Sequence, residues 1–327
     1  MIRIALVINL MAGRDIRRLV AHASLTSATD KLLAARRILA GVAAVPGVGV
    51  LMVDDWEGIG RGLSQEYPAV VELVAQETAP PGPDQRTTAW VRSLEWAGAQ
   101  VILLVGGDGT QRNAAEAVPK VPLLAVAGGT NNVACWVGDE TVAGYSAARW
   151  AANRPPLADT ATQAKLLHIQ SEREPEQVAL IDVALVRQRV TGALAVWNAR
   201  DVVALALAVA DPVRPGLSNL GGMIAPVSPE DDFGLVLAVE SGEGRPAAVA
   251  SVLAPGLMRS FQVKSVERMW FGQTVTWAPE QGGTLALDGE RTIVLAPDEG
   301  VRLALRRDGP WFLDPDRILL AEERVAR

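Results

Sequence analysis

The sequence has one cysteine, Cys135, and two histidines in 327 residues. A single cysteine excludes an internal disulfide, and with only two histidines beside it the chain cannot supply a conventional zinc site. No metal-binding residues are therefore assigned, and a catalytic metal would have to be a hard, oxygen-ligated ion such as Mg2+, arriving with a nucleotide. Positive charge is also short. Lys and Arg number 31 against 37 Asp and Glu, and the formal charge of -6 offers no general attraction to nucleic acid or to an anionic membrane. With aromatic residues at only 5%, no nucleic-acid partner is expected. The nine tryptophans are scattered, so core and interface packing accounts for them. No run approaches the ~18 apolar residues of a membrane span, and the opening M-I-R-I-A-L-V-I-N-L is too short and strand-like for a signal peptide. Both point to a cytoplasmic protein.

What the sequence does contain begins with V-I-L-L-V-G-G-D-G-T at 101–110, an apolar run emptying into three glycines around one carboxylate, Asp108. An apolar run bounded by glycine reads as a buried parallel strand, and ligands of open α/β sheets collect at the carboxyl ends of such strands. Gly106, Gly107 and Gly109 let the backbone come close to an anion, and the helix expected after Thr110 adds positive potential. A tight turn with a capping Asp is the plain alternative for a bare G-G-x-G. A second loop of the same kind favours the cradle: Gly128, Gly129, Thr130, Asn131 and Asn132 follow the strand at 123–127 and would face the first across a crevice. A third candidate is Asn9, at the end of the strand at 2–8, whose amide can reach a phosphate or merely start a turn.

At 327 residues two domains are the better expectation. The first part alternates strands at 2–8 and 48–53 with helices at 15–40 and 87–96, followed by the two glycine-loop units. This is the pattern of a doubly wound parallel sheet. A proline-rich loop at 78–84 interrupts it. After a helix at 141–152, Arg154-Pro155-Pro156 marks the boundary between a domain at 1–153 and a second at 154–327. The second reads as mainly antiparallel, with strands at 165–170, 178–186, 233–239, 274–277, 284–287, 292–295 and 301–305. Helices are expected at 201–210 and 246–252, and a final one after the N-cap Asp314 and Pro315. Asp288-Gly289 between apolar strands is first of all a hairpin signal.

Taken together, the loops resemble those of the superfamily of NAD kinases and diacylglycerol or sphingosine kinases, where N-P-x-(A/S)-G, G-G-D-G-T and a G-T-x-N-D-like loop line one nucleotide site. The resemblance is strongest to its ATP-NAD-kinase-like acetoin-catabolism protein X (AcoX) branch. It rests on A-G-R-D-I-R-R at 12–18, G-G-T-N-N-V at 128–133, G-L-S-N-L-G-G at 216–222 and A-L-D-G-E-R at 286–291, and it spans nearly the whole chain. It implies an α/β domain joined to a β-rich one, a homo-oligomer, ATP and Mg2+, and transfer of a phosphoryl group to a hydroxyl of NAD or another soluble metabolite, with a link to acetoin catabolism. By the same resemblance Asp108 is the general base or the group tied to nucleotide and magnesium, Glu290 organises magnesium or moves a proton, and Asp288 belongs to the same turn. Asp182 lies on a strand similar to A-L-N-(D/E)-V and could hold a ribose or polyol. There Ile181 stands where the NAD-gripping Asn would be, which places NAD itself in question. Two alternatives remain. One is a lipid kinase, although Asn132 replaces the acidic residue of its loop. The other is a nucleotide-binding accessory protein that kept the cradle and lost catalysis.

Overall fold

A computed structural model of the chain describes residues 1–13, 27–55, 57–75, 83–117, 119–187, 196, 198–242, 248–289 and 291–325. Glu290, Trp56, Trp197, most of the A-G-R-D-I-R-R stretch and most of the loop at 78–84 lie outside the described residues.

The first half alternates strand and helix: β1 (Ile2–Ile8), α1 (Ala28–Ala43), β2 (Val48–Val53), α2 (Ile59–Glu66), β3 (Val71–Val74), α3 (Pro83–Trp96), β4 (Ile102–Gly106), α4 (Asp108–Ala115), β5 (Leu123–Ala127) and α5 (Glu140–Asn153). The strands lie parallel in the order β3-β2-β1-β4-β5. They are apolar almost without interruption because both sheet faces are covered. Ile4, Leu6, Leu103 and Val105 pack with α1 and α5 on one face, while Ala5, Val7, Ile102 and Leu104 pack with α3 and α4 on the other. On the first face α1 and α5 meet backbone to backbone: a Cβ on Gly144 would run into the Ile38 carbonyl, and one on Gly41 into that of Thr141. The direction of winding reverses between β1 and β4, the point at which open parallel sheets hold their ligands.

The second half contains β6 (Ala161–Gln163), β7 (Leu166–Ser171), β8 (Gln177–Ala179), β9 (Asp182–Val186), β10 (Val202–Leu207), α6 (Leu217–Ile224), β11 (Phe233–Ser241), β12 (Val249–Ala254), β13 (Leu257–Trp270), β14 (Thr274–Trp277), β15 (Gly283–Leu287), β16 (Arg291–Leu295), β17 (Val301–Arg306), β18 (Trp311–Leu313) and α7 (Pro315–Val325). An antiparallel sheet in the order β12-β13-β11-β10-β9-β15-β16 packs one face on the smaller sheet β14-β17-β7-β8 and the other on α6. The architecture is therefore the expected one, a parallel α/β half and an antiparallel β half.

Several local expectations are corrected. Residues 202–207 and 249–254 form strands where helices were expected. β10 is central in its sheet, with Leu205 and Leu207 facing α6 and Ala204 and Ala206 facing the small sheet, and burial on both faces hides the strand period. The stretch expected as one strand at 178–186 breaks at Leu180 and Ile181 into β8 and β9, which belong to different sheets. Residues 311–325, placed with the second half from the sequence, return to the first sheet with an added short strand. There β18 pairs with β5 and β6, and α7 packs on α5 with Ile318 in the core. Without β18, β5 would present an unpaired edge.

Replacing Gly144 by Leu should push α1 from α5 and lower unfolding free energy by about 3 kcal/mol, measured by urea denaturation. An unchanged midpoint would mean that the two helices do not meet there.

Candidate functional site

Three loops leave the sheet side by side at its winding reversal. Asn9 ends β1, donates its amide to Thr110 Oγ1 at 2.9 Å, and accepts from the Met11 amide, so one side chain ties the β1 loop to the first turn of α4. Beneath that loop the buried Lys31 ammonium donates to the carbonyls of Asn9, Leu10 and Ala12. These bonds hold residues 9–12 in a tight arc.

The two glycine loops do not face each other across a crevice, as expected; they touch. A Cβ on Gly129 would collide with the Gly107 backbone, and one on Gly107 would lie 2.7 Å from the Asn131 carbonyl. Strands in a sheet lie only ~4.8 Å apart, so loops rising from neighbours β4 and β5 meet unless their backbones are bare. Gly106 is bare for a similar reason, since a Cβ there would strike the Thr110 side chain, which is fully buried. Gly109 is buried in the first turn of α4. The Gly128 amide donates to the Gly106 carbonyl at 2.9 Å, and the Gly129 amide to Asn132 Oδ1 at 3.0 Å. Asn132 also returns its own amide to the Gly129 carbonyl, so this side chain folds its loop shut. Thr130 is half-buried between them.

Asp108 opens α4 directly after the N-cap Gly107. Its amide donates to the Asn131 carbonyl at 3.0 Å, and its Oδ1 accepts from the Ala134 amide at 2.9 Å. The carboxylate is 4% exposed. It sits at a helix N-terminus with a backbone amide on one oxygen, both of which attract negative charge. Next to it, Cys135 donates to the Gly106 carbonyl, and burial and the Asp108 charge push its thiol well above the ordinary range while Arg214 opposes them. The thiol is free and buried. Arg214, from the second half and two residues before the Gly216 that meets Asn131, pairs with Asp211 at 3.9 Å. Asn131 lies at the same seam: a Cβ on Gly216 would come 3.2 Å from its Nδ2, and its buried Oδ1 accepts no hydrogen bond among the described residues.

The second carboxylate group has a different task. Asp288, in the left-handed region with φ 46°, accepts from the amides of Leu180, Ile181 and Asp182 at 2.8 to 3.0 Å. Burial raises its pKa, against Arg112 and these three amides. Both of its oxygens brace the break between β8 and β9, and the Asp288 amide answers with a bond to the Asp182 carbonyl. Asp182 itself is 6% exposed beside it. Arg112, one helical turn beyond Asp108, is 1% exposed and donates to the Leu287 carbonyl at 2.7 Å. That bond fixes the Asp288 turn over α4. Thus Asn9, Thr110, Asp108 and the Gly128 loop converge, with Asp288 and Asp182 held alongside through Arg112. Glu290 lies outside the described residues, and among these no three His, Cys, Asp or Glu side chains group as metal ligands.

Sequence reasoning missed Lys31, Arg112, Arg214 and the Ala134 amide. Arg112 alone carried a usable signal, because positions i and i+4 share a helix face.

Against known proteins, residues 25–135 match the ATP-NAD kinase N-terminal domain and residues 165–308 match the acetoin catabolism protein X C-terminal domain. Acetoin catabolism protein X of Cupriavidus necator is 30% identical over 305 residues, covering 89% of this chain and 84% of that protein. Among solved structures, a candidate diacylglycerol kinase from Bacillus anthracis aligns over 96% of this chain and 98% of its own, at 13% identity and a TM-score of 0.48.

Replacing Asp288 by Ala leaves three buried amides without their acceptor and should cost about 3 kcal/mol or more in a denaturant titration. A variant as stable as the parent would show that the turn needs no such brace.

Proposed function

The chain belongs to the acetoin catabolism protein X family, within the superfamily of NAD kinases and diacylglycerol kinases, and from that premise we propose that it is an ATP-dependent phosphotransferase acting on a hydroxyl of a soluble metabolite. The observation that carries this reading is the Asp108 carboxylate, held by the Ala134 amide at the N-terminus of α4, where the sheet reverses its winding.

Phosphoryl transfer needs the polyphosphate neutralised, the acceptor placed in line and its proton removed. On this reading the triphosphate lies over the first turn of α4 and the loop of Asn9, with Arg214 reaching it from the second half. Mg2+ entering with the nucleotide supplies charge neutralisation. The acceptor oxygen attacks the γ-phosphorus, and the bond from that phosphorus to the β–γ bridging oxygen breaks, so ADP leaves with the electron pair. The hydroxyl proton passes to Asp108 and from there to water. Asp288 and Arg112 position the site and touch no substrate.

NAD is a poor fit as acceptor. Ile181 is 2% exposed, its amide donates to Asp288, and its side chain offers no hydrogen bond where an Asn would be needed. The process named for the Cupriavidus relative, acetoin catabolism, suggests small hydroxylated compounds for the acceptor panel instead. A second reading, a nucleotide-binding accessory protein, draws support from the Gly128 and Gly129 amides, which already have partners within the chain.

With ATP and magnesium, the folded protein should phosphorylate at least one of acetoin, butanediol, glycerol and NAD in a phosphate-transfer assay. Asp108→Asn should slow turnover by about 10²- to 10⁴-fold. Arg214→Met should raise the KM for ATP about tenfold with a smaller effect on kcat, as expected for loss of a charged phosphate contact. Calorimetric binding of ATP without transfer to any acceptor would favour the accessory reading, and full activity in Asp108→Asn would remove Asp108 from the chemistry.

A further inference from the structure

A cavity of about 220 Å³ lies between the two halves, beside the Asp108 site. Its walls come from residues 133–136, from Ala164 and Lys165, from Leu180 and Ile181, and from Val209 and Phe312. The Ala134 that lines it is the residue whose amide holds Asp108. Known pockets for drug-sized ligands span ~300–1,000 Å³, so this one suits a molecule of roughly ten non-hydrogen atoms and is far too small for a dinucleotide.

Its lining is apolar except at one end. There Lys165, 2% exposed, donates from Nζ to the carbonyls of Ser228 and Phe233 at 2.9 and 2.8 Å. An ammonium has three donors, and among the described residues the third meets no acceptor. Burial, and Arg307 after it, lower Lys165 to about 8, with Asp231, Glu230 and Asp232 opposing. The carboxylates at this end are already engaged. Glu230 accepts from Thr162 at 2.9 Å and pairs with Arg317 at 2.7 Å, and Asp314 accepts from the amides of Asp316 and Arg317. Around the cavity Lys165, Arg307 and Arg317 stand against Glu230, Asp231, Asp232 and Asp314, so a net-charged occupant would upset charges already close to balance.

We propose that this cavity binds a compact, uncharged, largely apolar molecule whose carbonyl or hydroxyl oxygen accepts from Lys165 Nζ. Its further role as the seat of the phosphoryl acceptor rests on the phosphotransfer reading. Size, apolar walls and the single donor select the ligand, and the shared residues 134–135 place it next to Asp108.

The probe is diacetone alcohol, a small neutral hydroxyketone, followed by ligand-observed NMR on the full chain, with pivalate as an anion of similar bulk and ATP followed separately by calorimetry. Diacetone alcohol should bind, pivalate should bind at least tenfold more weakly, and Lys165→Met should weaken the alcohol at least tenfold. Because Lys165→Met uncovers two carbonyls and can unsettle the fold, Val209→Phe provides an independent arm: it fills the cavity and should abolish alcohol binding while ATP binding is unchanged. No binding of the alcohol, equal binding of pivalate, or undiminished binding in Val209→Phe would overturn the proposal. Alcohol binding without ATP binding would sustain the cavity site and remove the phosphotransfer reading.

Discussion

The contact between the backbones of Gly107 and Gly129 is the constraint on which the rest of the site depends. Because these loops touch, the Asn131 carbonyl reaches the Asp108 amide and the Ala134 amide reaches the Asp108 carboxylate. The same contact carries residues 133–136 out along the seam, where they form one wall of the interdomain cavity. A side chain at either glycine would separate the carboxylate from the amide that aims it. The glycines thus serve the approach of one loop to another, before any approach to a phosphate.

The two halves are joined through groups from distant parts of the sequence. Arg112 extends from the first helix of the site to the Leu287 carbonyl, and Asp288 gathers amides more than a hundred residues upstream. β18 and α7 close the edge of the first sheet after the chain has completed the second half. Removing one member of such an arrangement leaves the others buried and unpaired, so the site and the seam should fail together.

The elements read correctly from sequence are those with local causes. β1, β4 and β5 are apolar runs ended by Asn or glycine, and α7 follows an N-cap Asp and a proline. β10 was misread because a central strand buried on both faces loses its alternation, and Ala-rich V-V-A-L-A-L then fits a helix equally well. In the site, Asp108, Asn9 and the glycine loops were legible because residue type and spacing carried the signal. The Ala134 amide was not, since every residue but proline has one. Nor was the bracing task of Asp288, which depends on partners 106 to 108 positions away. Hairpin chemistry did predict its turn, and the left-handed φ of Asp288 and Gly289 fits that prediction.

If Asp108 faces a triphosphate at the mouth of the parallel sheet, a crystal structure with a non-hydrolysable ATP analogue and magnesium will show the two together. Density for the phosphates should lie over the first turn of α4, with the γ-phosphate within one side-chain length of Asp108 and Arg214 turned toward it. Nucleotide bound elsewhere, or phosphates on the far side of the Gly128 loop from Asp108, would contradict that placement.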